Sequence, residues 1–115
     1  RLKVTKNQNR FLSDGNDNKY QILVNGTEFS FKNKGVITIG RTGFNNDIEF
    51  ADNNVSRKQA ILFMSVTESW IYELGGVKIY VDDEVVNKKK RLYYRHEIRF
   101  AKHTMVINVD RTKLF

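Results

Sequence analysis

The sequence contains no cysteine, no proline and no long run of apolar residues. Without cysteine the chain has neither disulfides nor thiolate metal sites, so we expect an intracellular location, in the nucleus or the cytoplasm. No apolar run approaches the roughly 20 residues that a membrane-spanning helix needs. The first ten residues, RLKVTKNQNR, lack the apolar core of a signal peptide and begin without methionine. They predict an internal piece of a longer protein.

Recognisable catalytic patterns are missing as well. The sequence has no glycine-rich phosphate loop, no nucleophile elbow and no suggestive pair of carboxylates. Its two histidines, His96 and His103, are separated by six residues and have no third candidate ligand nearby. We therefore predict no catalytic residue, no metal site and no cofactor.

Positive charge is what the chain has in excess. It carries 20 Lys+Arg against 13 Asp+Glu, a formal net charge of +7 over 115 residues. Such a balance favours polyanionic partners, among them nucleic acid, anionic lipid and phosphorylated peptides, without choosing between them. The densest basic segment, residues 88–95, mixes cations with tyrosines as single-strand binders do. The alternative for it is a charged hairpin with Leu92 and one tyrosine packed inward.

Short apolar stretches separated by turn-forming residues predict a chain built from strands. Asn25 and Gly26 are a strong signal for a two-residue hairpin, and a smaller hairpin is expected across residues 82–83. The continuous apolar run AILFM at 60–64 predicts a strand buried on both faces. About ten to eleven short strands without an amphipathic helix indicate an all-β fold, an antiparallel β-sandwich.

We expect one domain over residues 1–115, with its core at about 20–109. Residues 1–18 are interpreted as an edge strand or tail followed by a loop, because residues 13–18 are dense in turn formers. The oligomeric state is not predicted.

The most informative stretch is residues 36–60, VITIGRTGFNNDIEFADNNVSRKQA. Its first strand stops at Gly40 and Arg41, and a second short strand ends before Ser56 and Arg57. If the two strand ends lie side by side, the two arginines and the serine converge at one rim of a sheet. Guanidinium groups and a hydroxyl together suit a phosphate.

A structural role is the alternative for the same residues. Arg41 would then pair with Asp47 or Glu49, and Ser56 would cap a turn. In either case we expect Gly40 to let the backbone turn where a side chain would crowd the loop.

These motifs resemble the pattern of forkhead-associated (FHA) domains, GR…NDI…SRxHA. The sequence has GR at 40–41, NDI at 46–48 and SRKQA at 56–60. Residues 70–74 and 98–100 fall where the family has further strands, and residues 81–83 fall where it has Val-Asn-Gly. The resemblance implies an FHA-like β-sandwich that binds a phosphothreonine-containing segment of a partner protein. It also implies a module of a larger signalling or nuclear regulatory protein, with the nucleus favoured.

The resemblance also assigns roles to individual residues. It implies phosphate contacts from Arg41 and Ser56, with assistance from Arg57. The loops expected to meet the peptide contain Asn53, Asn54, Val77 and Lys78. The residues expected to support the site are Gly40, Asn46, Asp47 and Gln59.

Three departures from the family pattern qualify this expectation. The histidine of SRxHA is Gln59, which still donates and accepts hydrogen bonds and so weakens the support without removing it. The asparagine that holds the peptide backbone in the family is replaced by Val77 and Lys78, in a segment one residue short. The family's Gly-Asp turn is Arg95 and His96.

The departures leave a retained phosphate pocket and a damaged peptide clamp. One hypothesis is phosphothreonine binding with altered peptide selection, in which Lys78 reaches an acidic flank. A second is a degenerate scaffold without phosphopeptide binding. A third is nucleic-acid binding through residues 88–95. The first hypothesis is preferred.

Overall fold

The computed structural model describes residues 3–6, 19–32, 35–65 and 67–109. In these ranges the chain forms strands and no helix, and therefore no helix that is long and apolar enough to cross a membrane. The strands are β1 (Val4–Lys6), β2 (Lys19–Val24), β3 (Thr27–Lys32), β4 (Val36–Arg41), β5 (Ile48–Phe50), β6 (Ala60–Met64), β7 (Ser69–Glu73), β8 (Ile79–Val81), β9 (Glu84–Val85), β10 (Lys89–Leu92), β11 (Arg95–Phe100) and β12 (His103–Asn108).

The strands form two six-stranded sheets. Sheet 1 has the order β1-β5-β4-β6-β7-β10, and sheet 2 has the order β3-β2-β12-β11-β8-β9. The predicted all-β sandwich is confirmed, and β1 lies at the edge of sheet 1. The rest of residues 1–18, including the loop predicted at 13–18, lies outside the described residues.

One neighbouring pair departs from the antiparallel expectation. β4 and β5 run parallel, with Ile39 opposite Ile48 and Arg41 opposite Phe50. The short connection at 42–47 therefore does not form a hairpin. It returns the chain to the level of Ile39, so that β5 starts beside the last residues of β4 and runs in the same direction. This turn places the connection beside the point where β4 ends.

The core lies between the inner faces of the two sheets. In β11, for example, the side chains of His96, Ile98 and Phe100 are buried while those between them are exposed. Phe50 of sheet 1 meets Phe100 of sheet 2 edge to face, with ring centroids 5.3 Å apart. Such alternation is what the period of a half-buried strand requires.

The predicted burial of β6 on both faces is wrong. Ile61 is only half-buried and Phe63 is 37% exposed, while Ala60, Leu62 and Met64 are buried. Among the described residues no further layer covers the outer face of sheet 1, so alternate apolar side chains of β6 meet solvent.

Both predicted hairpins are confirmed. Asn25 and Gly26 have φ values of 49° and 86°, and Asp82 and Asp83 have values of 49° and 69°. Positive φ at both central residues is the geometry that matches the twist of the flanking strands.

Candidate functional site

Three loops meet at one end of sheet 1: residues 42–47, 51–59 and 74–78, called here the site loops. The backbone N–H of Arg41, at the end of β4, donates to the carbonyl oxygens of Ser56 at 3.1 Å and of Arg57 at 3.3 Å. The three residues assigned to a phosphate from the sequence are therefore neighbours in the structure.

The guanidinium group of Arg41 is held by the backbone of loop 51–59. Its Nε donates to the carbonyl of Val55 at 2.9 Å, and one Nη donates to the carbonyl of Asn53 at 3.2 Å. Arginine has five N–H donors, so three remain without a partner among the described residues. The described salt bridges do not include Arg41, and the expected alternative of a pair with Asp47 or Glu49 is wrong.

Phe44 connects the two arginines. The Cζ of Arg41 lies 5.8 Å from the centroid of its ring, and that of Arg57 lies 5.3 Å away. Attraction between a cation and the face of an aromatic ring keeps both guanidinium groups beside one side chain, although like charges repel. The sequence analysis missed Phe44. The available signal was an aromatic residue between GR and NDI, in a loop otherwise made of small and polar residues.

Ser56 is fixed through its backbone and keeps a free donor. Its N–H donates to Oε1 of Gln59 at 3.0 Å, and its hydroxyl accepts the N–H of Val77 at 3.4 Å. Because the hydroxyl acts as acceptor in that contact, its hydrogen is available for an anion.

Gly75 is required by the position of Ser56. A Cβ at Gly75 would lie 2.3 Å from both Cβ and Oγ of Ser56, whereas one at Gly76 would meet nothing within 4 Å. Only the first glycine of the pair permits this approach of the two loops. The sequence showed two adjacent glycines and gave no means of telling them apart.

Gln59 ties loop 51–59 to loop 74–78. Its side chain is fully buried, with Oε1 accepting from the Ser56 N–H and Nε2 donating to the Val77 carbonyl at 2.8 Å. Its own carbonyl accepts the N–H of Leu74 at 3.1 Å. An amide has one acceptor and one donor group in this plane, so glutamine joins the loops through both ends.

Gly40 and Asn46 allow the end of β4 to approach loop 51–59. Nδ2 of the buried Asn46 donates to the carbonyl of Arg57 at 3.0 Å and to that of Arg41 at 3.3 Å. A Cβ at Gly40 would lie 2.2 Å from that Arg57 carbonyl oxygen. Gly40 lies within a strand and its φ is not positive, so close approach, not the expected turn, explains the glycine.

Asp47 also holds the base of the site loops. Its Oδ2 accepts the backbone N–H of Thr38 at 2.8 Å and the hydroxyl of the same residue at 3.1 Å. The Thr38 hydroxyl in turn accepts the N–H of Asp47 at 2.9 Å. This carboxylate therefore bonds a residue of β4.

Asp52 links the site loops to sheet 2. Its Oδ1 accepts the N–H of Asn54 at 2.8 Å, and its Oδ2 bonds Nε2 of His103 at 2.7 Å. The bond from the Asn54 N–H, and next the one from His103, hold the pKa of Asp52 below its ordinary value. The bond between Asp52 and His103 was not predicted, because the two residues are far apart in the sequence.

The tautomer of His103 follows from its second neighbour, Asn25. Oδ1 of Asn25 accepts the Thr104 N–H at 3.0 Å, so its Nδ2 is the donor to Nδ1 of His103 at 2.9 Å. The imidazole hydrogen therefore sits on Nε2 and is donated to Asp52. Asn25, His103 and Asp52 form a continuous chain from the β2–β3 hairpin to loop 51–59.

The residues expected to meet a peptide are divided. Asn53, Asn54 and Lys78 are exposed, whereas Val77 is half-buried and both of its backbone polar groups are engaged by Ser56 and Gln59. Val77 thus supports the loops and presents no free backbone group to a ligand. Among the described residues no group of three potential metal ligands lies together.

Comparisons with known proteins agree with this architecture. Among solved structures, EmbR of Mycobacterium tuberculosis in complex with a low-affinity phosphopeptide superposes with a TM-score of 0.71 at 23% identity, over 80% of this chain and 24% of that one. The FHA domain of CT664 from Chlamydia trachomatis superposes with a TM-score of 0.70 at 19% identity, over 81% of this chain and 98% of that one.

A third structure, from a structural and functional analysis of phosphothreonine-dependent FHA domain interactions, has a TM-score of 0.69 at 15% identity, covering 81% of this chain and 98% of that one. At these low identities, the superpositions show a shared fold. A search of curated proteins finds no match. The family model of the FHA domain matches residues 37–101, which is more than half of the chain and includes all three site loops. The chain belongs to the FHA domain family.

Proposed function

We propose that this domain binds a phosphothreonine-containing segment of a partner protein at the site loops. The observation that carries the proposal is the position of Arg41, whose guanidinium is fixed by two loop carbonyls beside Ser56 and Arg57 and still has unused donors. Family membership supports the same conclusion, since FHA domains are interaction modules rather than enzymes and similar structures contain phosphopeptides.

The charges around the site favour a dianion. A phosphothreonine carries about −1.5 to −2 charges and three strong acceptor oxygens. Arg41 and Arg57 supply guanidinium donors and Ser56 supplies a hydroxyl, whereas Asp47 and Asp52 are engaged by Thr38 and His103. The phosphate therefore meets donors without an opposing free carboxylate from those two residues.

Selection of the peptide differs from the family pattern in this proposal. The backbone groups of Val77 bond Ser56 and Gln59. The contact that the family's asparagine makes with the peptide backbone therefore has no equivalent at that position. Lys78 and Arg57 are exposed at the same end, and both favour acidic residues beside the phosphothreonine. We expect weaker contacts to the peptide backbone and a greater dependence on charge.

The test is a titration of the labelled domain with a degenerate phosphothreonine peptide pool, followed by amide chemical shifts. We expect shifts at Arg41, Ser56 and Arg57 with the phosphorylated pool and none with the unphosphorylated pool. Arg41→Ala should weaken binding by about 10-fold to 100-fold, since a hydrogen bond to a charged group contributes about 1.5–3 kcal/mol. The same variant should also lose about 1–2 kcal/mol of stability, because two loop carbonyls lose their donor.

The control is Arg99→Ala, which removes one exposed cation from sheet 2 and should leave phosphopeptide affinity unchanged. Equal weakening by both variants would mean attraction by net charge alone. Absence of phosphate-dependent shifts in the folded domain would contradict the proposal and favour a scaffold role.

A further inference from the structure

The outer face of sheet 1 carries two rows of side chains set by strand register. In one row, Val36 is opposite Phe63, Phe63 opposite Trp70, and Trp70 opposite Arg91. In the next row, Thr38, Ile61, Tyr72 and Lys89 follow each other in the same way. The aromatic platform is defined here as Phe63, Trp70, Tyr72, Lys89 and Arg91.

The rings of the platform are accessible and held in place. Phe63 is 37% exposed, and the half-buried rings of Trp70 and Tyr72 lie with centroids 6.4 Å apart and planes inclined by 33°. Nε1 of Trp70 donates to Oε1 of Glu68 at 2.6 Å, which satisfies the polar edge of the indole. The indole N–H therefore has a partner, and the exposed surface of Phe63 and Trp70 is apolar.

Two cations of β10 border the rings. Nζ of Lys89 lies 5.0 Å from the centroid of Trp70, and Cζ of Arg91 lies 5.1 Å from the centroid of Tyr93, which is 61% exposed. Among the described residues neither cation forms a salt bridge, whereas Lys90 between them pairs with Glu84 at 3.6 Å. Residues at i and i+2 of a strand lie about 6.6 Å apart on one face, so Lys89 and Arg91 form a short cationic row beside the rings.

We infer that the aromatic platform binds a single-stranded nucleic acid. Such a strand presents phosphates and flat bases in alternation, and platforms for it combine cations with aromatic faces on which bases stack. An acidic peptide would satisfy Lys89 and Arg91 and would leave the ring faces unused. A single-stranded nucleic acid uses both the cations and the ring faces, and the geometry therefore favours it over an acidic peptide.

Binding would replace the contact between Lys89 and the ring of Trp70 that the free protein has. Lys89 covers a face of Trp70, and a stacking base would occupy that face. The lysine stem is flexible, so its ammonium can leave the ring for a phosphate. The site loops take no part, since the platform residues belong to β6, β7 and β10 while Arg41 ends β4.

Trp70 makes this proposal directly measurable, because it is the single tryptophan of the chain. The full chain is titrated with a fluorescein-labelled oligothymidine or oligouridine of about 12 nucleotides, within the range of site sizes for such surfaces. Anisotropy reports binding, and quenching of tryptophan fluorescence in a parallel titration with the unlabelled oligonucleotide reports stacking at the platform. We expect both, with affinity falling steeply as salt rises.

The matched variants carry equal changes of charge at two separate places. Lys89→Ala with Arg91→Ala should weaken binding at least 10-fold, and Arg99→Ala with Lys102→Ala, in β11 and the β11–β12 turn, should change it less than twofold. Arg41→Ala should leave it unchanged. Inorganic polyphosphate, which has charge and no bases, should bind more weakly and should not quench the tryptophan fluorescence.

Three results would overturn the inference. One is absence of oligonucleotide binding to the folded chain at low salt, and another is equal weakening by both double variants. The third is displacement of the oligonucleotide by poly-glutamate as effectively as by unlabelled oligonucleotide, which would assign the face to an acidic protein partner.

Discussion

In the site loops, buried polar side chains hold irregular backbone in place, whereas on the aromatic platform strand register sets the spacing of exposed side chains. Gln59, Asn46 and Asp52 each bond backbone groups of the loops. The platform residues obtain their spacing from strand register. The site loops should therefore be sensitive to substitution of the buried residues that support them. The aromatic platform should be sensitive chiefly to substitution of its own side chains.

The largest expected effect separates two adjacent glycines. Gly75→Ala places a Cβ against Ser56, and overpacking of this kind costs about 1–3 kcal/mol or more. We expect a loss of about 3 kcal/mol and loss of phosphopeptide binding, measured by urea unfolding and by titration. Oligonucleotide binding at the platform should persist under conditions in which the variant is folded.

Gly76→Ala is the matched control, since its Cβ would meet nothing within 4 Å and its φ is not positive. It should change stability by less than about 0.5 kcal/mol. Equal destabilisation by both substitutions would show that loop 74–78 does not approach Ser56 as described.

An intermediate effect is expected at Gln59. Gln59→Ala leaves the Ser56 N–H and the Val77 carbonyl without partners, and an unsatisfied buried group costs about 1–3 kcal/mol. Because water can enter part of the space, we expect about 2–3 kcal/mol in total, measured by urea unfolding, together with weaker phosphopeptide binding.

Gln59→His tests whether another side chain with one donor and one acceptor can replace the two hydrogen bonds of Gln59. A neutral imidazole has one donor and one acceptor, so this variant should retain more stability than Gln59→Ala and should recover part of the affinity. A histidine variant as unstable as the alanine variant would mean that the length of the glutamine side chain decides the contact.

The sequence was sufficient for features that depend on local pattern. Alternating apolar residues predicted the strands, Asn25 and Gly26 predicted a hairpin, and the expected convergence of Arg41 and Ser56 is met by a backbone hydrogen bond between them. It was insufficient where distant segments meet. The bond between Asp52 and His103 spans 51 positions, and the fit of Gly75 against Ser56 depends on the approach of two loops.

The platform shows a different limit of the sequence. AILFM reads as a continuous apolar run, and such a run is expected in a strand buried on both faces. Whether a second layer covers the outer face is decided by the rest of the fold, not by β6. The exposure of Phe63 beside Trp70 therefore became visible only once the neighbours of β6 were known.

The smallest effect is expected from acid and from Asp52→Asn. A carboxyl whose pKa is lower in the folded chain stabilises the fold above its unfolded pKa, about 3.9, and loses that contribution as pH falls through the folded pKa. The pKa of Asp52 is lowered by the N–H of Asn54 and by His103, so its contribution should be constant from neutral pH to about pH 5 and decline below about pH 4.

In Asp52→Asn, an amide that keeps the Asn54 contact turns its NH₂ group towards the Nε2–H of His103, and two donors then face each other. We expect a loss of about 1–2 kcal/mol at pH 7 and a shallower decline in acid, measured by thermal unfolding between about pH 3 and pH 7.

Asp82→Asn is the matched comparison, because the N–H of Glu97 and then His96 lower the pKa of Asp82 in the same direction at a position away from the site loops. Both variants should flatten the acid decline, and only Asp52→Asn should also weaken phosphopeptide binding. If Asp82→Asn weakened it equally, the chain from Asn25 through His103 to Asp52 would have no particular role in holding loop 51–59. In that case the contacts from sheet 2 would not be needed to hold the site loops, and the site would differ less from the aromatic platform than described above.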